Sequence, residues 1–168
     1  MMRLIISLFM IGATLQFYAQ EPKAEGLEEI IIVAKNYKYL DKTGAEDVAI
    51  PVQQLQRKVA TYNIKELDVY EDEYDYYDVS FVIPEGKILA SYDKDGNILR
   101  TAEKFKDINL PAAIVNSIVT RFPSWSISKN VYLVYYHNRD GVKKTYKIIL
   151  ENGDKRIKIK TDNLGNFL

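Results

Sequence analysis

The stretch Val79 to Leu99, VSFVIPEGKILASYDKDGNIL, leaves a chain little freedom of fold. Apolar and polar residues alternate on either side of Glu85-Gly86 and Asp95-Gly96, and Asp-Gly is a strong hairpin signal because both residues tolerate the positive φ of a tight turn. The same punctuation returns at Asp140-Gly141 and Asn152-Gly153. A chain built this way forms antiparallel sheet, and each run of strands is preceded by a helical pattern that can cover one face of it.

The helix before the first run opens at Pro51, where the missing N–H costs nothing. Val52, Leu55, Val59 and Tyr62 recur at helical spacing, with Gln53, Gln54, Arg57 and Lys58 turned to water. The second opens at Pro111, carries Val115, Ile118 and Phe122, and closes at Phe122-Pro123 because the residue before a proline avoids helical angles. Strands are expected at Asn63–Tyr70, Tyr77–Ile83, Lys87–Asp93 and Asn97–Arg100, then at Ser126–His137, Val142–Leu150, Lys155–Thr161 and Phe167–Leu168. Leu27 to Leu40, LEEIIIVAKNYKYL, reads as a further strand, breaking at Lys35-Asn36. In RIKIKT, Ile157 and Ile159 alternate with Arg156, Lys158 and Lys160, so one face is buried and the other wet and basic. The expected class is α+β: two tandem units, each one helix on an antiparallel sheet of about three to four strands. The expected boundaries are 1–19 for a signal peptide, 20–48 for an N-terminal strand and loop, 49–109 for the first repeat and 110–168 for the second.

The residues Leu110-Pro111-Ala112-Ala113, Phe122-Pro123-Ser124-Trp125, Tyr146-Lys147-Ile148 and Asp162-Asn163-Leu164-Gly165-Asn166 match one pattern. The first unit matches it through Ile50-Pro51, Tyr92-Asp93-Lys94-Asp95-Gly96-Asn97 and Ile98-Leu99. In these the chain resembles the PepSY-like and beta-lactamase-inhibitor-like (BLIP-like) exported domains of Bacteroidota. The resemblance implies small helix-on-sheet units in tandem that act as extracytoplasmic binding or inhibitory modules, and it supplies no catalytic residue. The first unit lacks the Phe-Pro-x-Trp close of the second, so the resemblance does not duplicate any role of Trp125.

Met1 to Gln20, MMRLIISLFMIGATLQFYAQ, places a positive charge at Arg3 before an apolar run from Leu4 to Leu15, with a small residue at Ala19. That is a secretory signal pattern, and its run is short for a membrane span of about 20 residues. The expected mature protein begins near Gln20, is periplasmic or secreted, and spans no membrane. With no cysteine it has no disulfide, no thiolate ligand and no lipid-anchored Cys, so it is not a lipoprotein. The net charge of zero conceals two unlike halves. From residue 20 to 109 there are 12 Lys/Arg against 19 Asp/Glu, and from 110 to 168 there are 10 against 4. Duplex binders present one dominant basic face, so this balance excludes nucleic acid as the main partner and favours a charged protein or peptide.

No motif calls for a cofactor, a metal or a catalytic centre. His137, the only histidine, cannot form a paired-His zinc site and stands at a wet turn. The segment Asp93 to Asn97 lacks the calcium-loop spacing, with glycine fourth instead of sixth and Lys104 in the twelfth place. Two clusters are candidates for partner binding. Tyr70, Glu71, Asp72, Glu73, Tyr74, Asp75, Tyr76, Tyr77 and Asp78 pack carboxylates and tyrosines into one loop, able to grip a basic partner with ring faces adding cation–π contact, or to meet the basic second half of this chain or a neighbour. Trp125, Tyr132 and Tyr136 form the other, with Tyr135 on the opposite strand face. The reading is an exported, non-enzymatic module that binds a protein or peptide through a sheet face, inhibition being one form of that role. Its alternatives are an extracytoplasmic enzyme using Asp72, Asp75 or Asp78, and a calcium-responsive binding protein.

Overall fold

The computed structural model describes residues 35–44, 47–71 and 73–168. The signal segment, Leu27 to Ala34 and Asp72 lie outside the described residues. Residues 35–43 are helical (α1), followed by α2 (Ile50–Ala60), a single 3-10 turn (Ile64–Glu66), β1 (Tyr76–Ile83), β2 (Gly86–Asp93), β3 (Ile98–Lys106), α3 (Ala112–Arg121), β4 (Ser126–His137), β5 (Gly141–Asn152) and β6 (Lys155–Thr161). The strands form one antiparallel sheet in the order β1-β2-β3-β4-β5-β6.

The order helix, strand, strand, strand thus occurs twice, but the six strands are not two separate sheets. β3 pairs with β4 from Arg100↔His137 to Lys106↔Val131, so the hydrogen-bond ladder runs straight across the expected unit boundary. One core serves the whole sheet. Val52, Leu55 and Val59 of α2 and Ile114 and Ile118 of α3 join Ile88, Tyr92, Phe105, Tyr132, Tyr146, Ile148 and Leu150 in a single buried cluster.

Among the described residues, the end of the expected Leu27–Leu40 strand from Lys35 is helical, Asn63–Tyr70 is not a strand, and Phe167 makes only an isolated bridge to Thr161. Residues 35–43 form a helix because the positions that bury are Asn36, Tyr39 and Thr43, spaced three and four apart. Two of these are polar, so hydrophobic periodicity does not reveal them. Asn36 is a tie-point: its Oδ1 accepts from Ile98 N (2.9 Å), and its Nδ2 donates to Ala60 O (3.1 Å) and Gly96 O (3.2 Å). Asn63–Tyr70 instead makes a 3-10 turn, because the Asn63 side chain caps it by accepting from Lys65 N (3.1 Å) and Ile64 is its only fully buried anchor.

The Asp-x-x-Gly-x segments are turns with matching hydrogen bonds. Asp93 Oδ1 accepts from Asp95 N and Asn97 N, and its Oδ2 accepts from Asn97 Nδ2 (2.7 Å). Asp162 Oδ1 accepts from Leu164 N and Asn166 N, and its Oδ2 from Asn166 Nδ2 (2.8 Å). Gly96 and Gly165 take φ of 81° and 87°, the left-handed region that glycine enters without strain. The carboxylates are engaged in shaping turns.

The candidate binding face

Strand alternation sends one set of side chains into the core and the other outward. All the helices described pack on the inner side, so the outward side is an open sheet face. Its residues follow from the pairing register. One row runs Leu89, Ala102, Tyr135, Lys143 across β2 to β5. Another runs Lys106, Val131, Lys147, Lys160 across β3 to β6, and a third runs Lys129, Ile149, Lys158. Leu89 is 46% exposed and Tyr135 54%, large apolar surface left in water. Below them Lys106, Lys129, Val131, Lys147, Ile149, Lys158 and Lys160, with one carboxylate, Asp107, are among the residues lining a groove of about 540 Å³. Lysine stems and aliphatic side chains make its walls, and the lysine ammonium groups can reach its rim.

The charge on this face changes from edge to edge. At β1 the outward residues are Tyr76, Asp78, Ser80 and Val82, with exposed Glu71, Glu73 and Asp75 on the chain leading in. Asp78 accepts from the Ser91 hydroxyl, which in turn accepts from Arg100 Nε (2.9 Å). At β5 and β6 the carboxylate Glu151 is bonded to Arg156, and this contact holds its carboxyl below the usual range.

The other side of the sheet holds a buried polar cluster. Glu103 is 2% exposed; its Oε1 accepts from Tyr39 OH (2.8 Å) and Thr101 Oγ1 (2.8 Å), and its Oε2 from Gln56 Nε2 (2.8 Å). Burial pushes the carboxyl above the usual range, against the opposing pull of these three donors and of Lys144. Burial likewise lowers the Lys144 ammonium, while Asp47 and Glu103 raise it. A carboxyl enclosed among α1, α2 and the sheet cannot meet a substrate, so this cluster joins the helices to the sheet.

The tyrosines singled out in sequence divide between surface and interior. Tyr132 is 0% exposed and Tyr136 3%; both point inward, Tyr132 stacked on Tyr146 at 4.3 Å and Tyr136 edge-on to Tyr39 at 5.3 Å. They are core residues and present no surface to a partner; inward alternation from Asn130 on β4 decides this. Trp125 is half-buried against the core at the end of α3. In the acidic loop Tyr77 is buried, its hydroxyl bonded to the backbone of Glu71, with Tyr70 stacked on it at 5.3 Å and Tyr74 edge-on at 6.1 Å. Glu71, Glu73, Tyr74, Asp75 and Tyr76 remain exposed. Asp75 and Asp78 are both exposed to solvent. His137 Nδ1 lies 3.2 Å from Asp140 Oδ2 at the wet end of β4. Among the described residues no three His, Cys, Asp or Glu gather as a metal site. Among them, too, no helix is long and apolar enough to cross a membrane.

No protein-family model matches the chain, and no curated protein matches it significantly. Solved structures similar to it include two from Bacteroides. One is a DUF2874 family protein from Bacteroides ovatus ATCC 8483, 12% identical, covering 58% of this chain and 70% of that one with a TM-score of 0.35. The other is a BLIP-like protein from Bacteroides fragilis NCTC 9343, 18% identical, covering 58% of this chain and 68% of that one with a TM-score of 0.32. The second bears the BLIP-like name of the sequence resemblance; neither bears PepSY. Likeness at this level says nothing about what this chain binds.

The outward lysines of β3 to β5 and the apolar row Leu89, Ala102, Tyr135 were not singled out in sequence. Only β6 showed its basic face there. The signal available was the even spacing of Lys104 and Lys106, and of Lys143, Lys147 and Glu151, along strands whose neighbours bury.

Proposed function

We propose that the protein is a non-enzymatic binding module that takes a protein or peptide partner of acidic character on the open face of its sheet. The observation that carries this is the exposed apolar row Leu89, Ala102, Tyr135 above the lysine-lined groove. Apolar residues at the middle of a patch with charges around them are the anatomy of a protein interface. The acidic loop is a secondary surface on this reading. Export with removal of residues 1–19, and descent of the two helix-and-three-strand segments from one repeated unit, belong to the same proposal. The supporting features are the signal pattern and the matching Asp93 and Asp162 turns.

The test is capture from cell-envelope extract with protein beginning near Gln20, at about 0.05 M and about 0.5 M salt, where the screening length falls several-fold. A partner held by the native protein and lost by Leu89→Glu, with melting unchanged, is the expected outcome. A partner retained by Leu89→Glu and by Tyr135→Glu, or turnover of a substrate by the purified protein, sinks the proposal.

A further inference from the structure

The open face carries its own complement. Its β1 edge is acidic, through Asp78 and the exposed Glu73 and Asp75 beside it, and its β5–β6 side is basic, through Lys147, Lys158 and Lys160. Between the two ends lies the exposed apolar row of Leu89, Ala102 and Tyr135. The ends cannot neutralise each other within one chain. β1 and β5 stand four strand spacings apart, roughly 19 Å across a continuous sheet, beyond the reach of a lysine toward a carboxylate. Unlike charges at opposite ends of one face, with apolar residues at its centre, are satisfied together by one operation. The two ends are offset along the strands as well, since Asp78 is level with Arg100, His137 and Gly141 whereas Lys147 and Lys160 are level with Lys106 and Val131, three outward-facing rows away. A two-fold axis lying in the face, oblique to the strands and passing near Ala102, lays each acidic edge on the other copy's basic side and each apolar row near its own copy. Such an interface is closed, so association stops at two. Six strands about 4.8 Å apart and seven to twelve residues long give a face roughly 24 Å wide and 23–40 Å long, on the order of the about 800 Å² per partner that specific interfaces bury.

We infer that the occupant of the open face is a second copy of this chain, held face to face as a closed dimer by its acidic β1 edge against its basic β5–β6 side. The inference rests on the reading of that face as a protein interface, and it names the partner.

Sedimentation velocity of the mature-length protein tests it. At about 0.05 M salt the native protein is expected to double in mass with rising concentration and to return to monomer near 0.5 M. Two charge-reversed variants sharpen the test: Glu73→Lys with Asp75→Lys in one chain, and Lys147→Glu with Lys160→Glu in another. Each alone sets like charge against like at both contacts and is expected to stay monomeric. Mixed, they restore opposite charges at both contacts and are expected to dimerise at the native salt dependence or close to it. Tyr135→Glu, at the centre, is expected to abolish association with the melting temperature held. A native protein monomeric at every concentration overturns the inference, as does a dimer indifferent to salt or a mixture that fails to associate. A monomer that still captures an envelope partner through Leu89 overturns only the dimer, whereas a monomer that captures nothing sinks the binding-face reading as well.

Discussion

Glu103 is the residue on which the inner side of the sheet turns. Its folded carboxyl is held above the ordinary 4.5, chiefly by burial, so its contribution to stability is present below that value and is lost as pH rises through the folded value. Glu103→Gln is therefore expected to flatten the decline of stability with pH above 4.5 and to leave the protein no less stable at pH 8, read from urea midpoints across pH. Its amide can meet Gln56 Oε1, a buried acceptor with no partner at present, once the Gln56 amide turns over. Glu103→Ala strands the Tyr39, Thr101 and Gln56 donors and opens a cavity, a loss of about 2–4 kcal/mol at neutral pH or below. Asn36→Ala removes three hydrogen bonds linking α1 to α2, to the Gly96 turn and to the start of β3, and is expected to cost about 1–3 kcal/mol by the same denaturant measurement. Neither residue stood out in the sequence. A buried Glu or Asn is invisible to a search for apolar spacing, and its donors come from three separate elements.

Among the elements, the hairpin β1–β2 has the tightest constraint. A Cβ on Gly86 would run into the Lys104 carbonyl and lie 2.6 Å from Phe105 Cδ1, so β2 and β3 approach too closely there for any side chain. Gly86→Ala is expected to lower stability by about 1–3 kcal/mol, as for other overpacked sites. At Gly141 nothing lies within 4 Å, and only its φ of 88° resists substitution, so Gly141→Ala is expected to cost about 1 kcal/mol. Thermal melts of the pair separate steric closeness from backbone strain. β3 shows how an element's length escapes a sequence reading. Its inward residues Thr101, Glu103 and Phe105 alternate correctly, but two are polar, so the expected strand stopped at Arg100 and the real one runs to Lys106.

Over the whole molecule, charge and stability are separable. The lysines of the open face are exposed and sit on strands whose other side carries the packing, so Lys147→Glu with Lys158→Glu is expected to change folding stability by no more than about 0.5 kcal/mol per site. The same double change should move the salt dependence of any partner binding, a combination that salt-titrated binding and melting curves on one preparation can read. The sequence by itself determined the hairpin turns, the two proline-opened helices, the α+β class and the strands between Tyr77 and Thr161 apart from the length of β3, because tight turns and apolar spacing are local. It also showed two halves of opposite charge. Only the tertiary structure decided that the strands make one sheet and that Tyr132 and Tyr136 belong to the core. It alone brought Leu89, Ala102 and Tyr135 into one row beside lysines from four strands. The reason is register: which face a strand turns outward, and which residues stand side by side on it, depends on pairing across the sheet, and a shift of one residue would reverse every side chain.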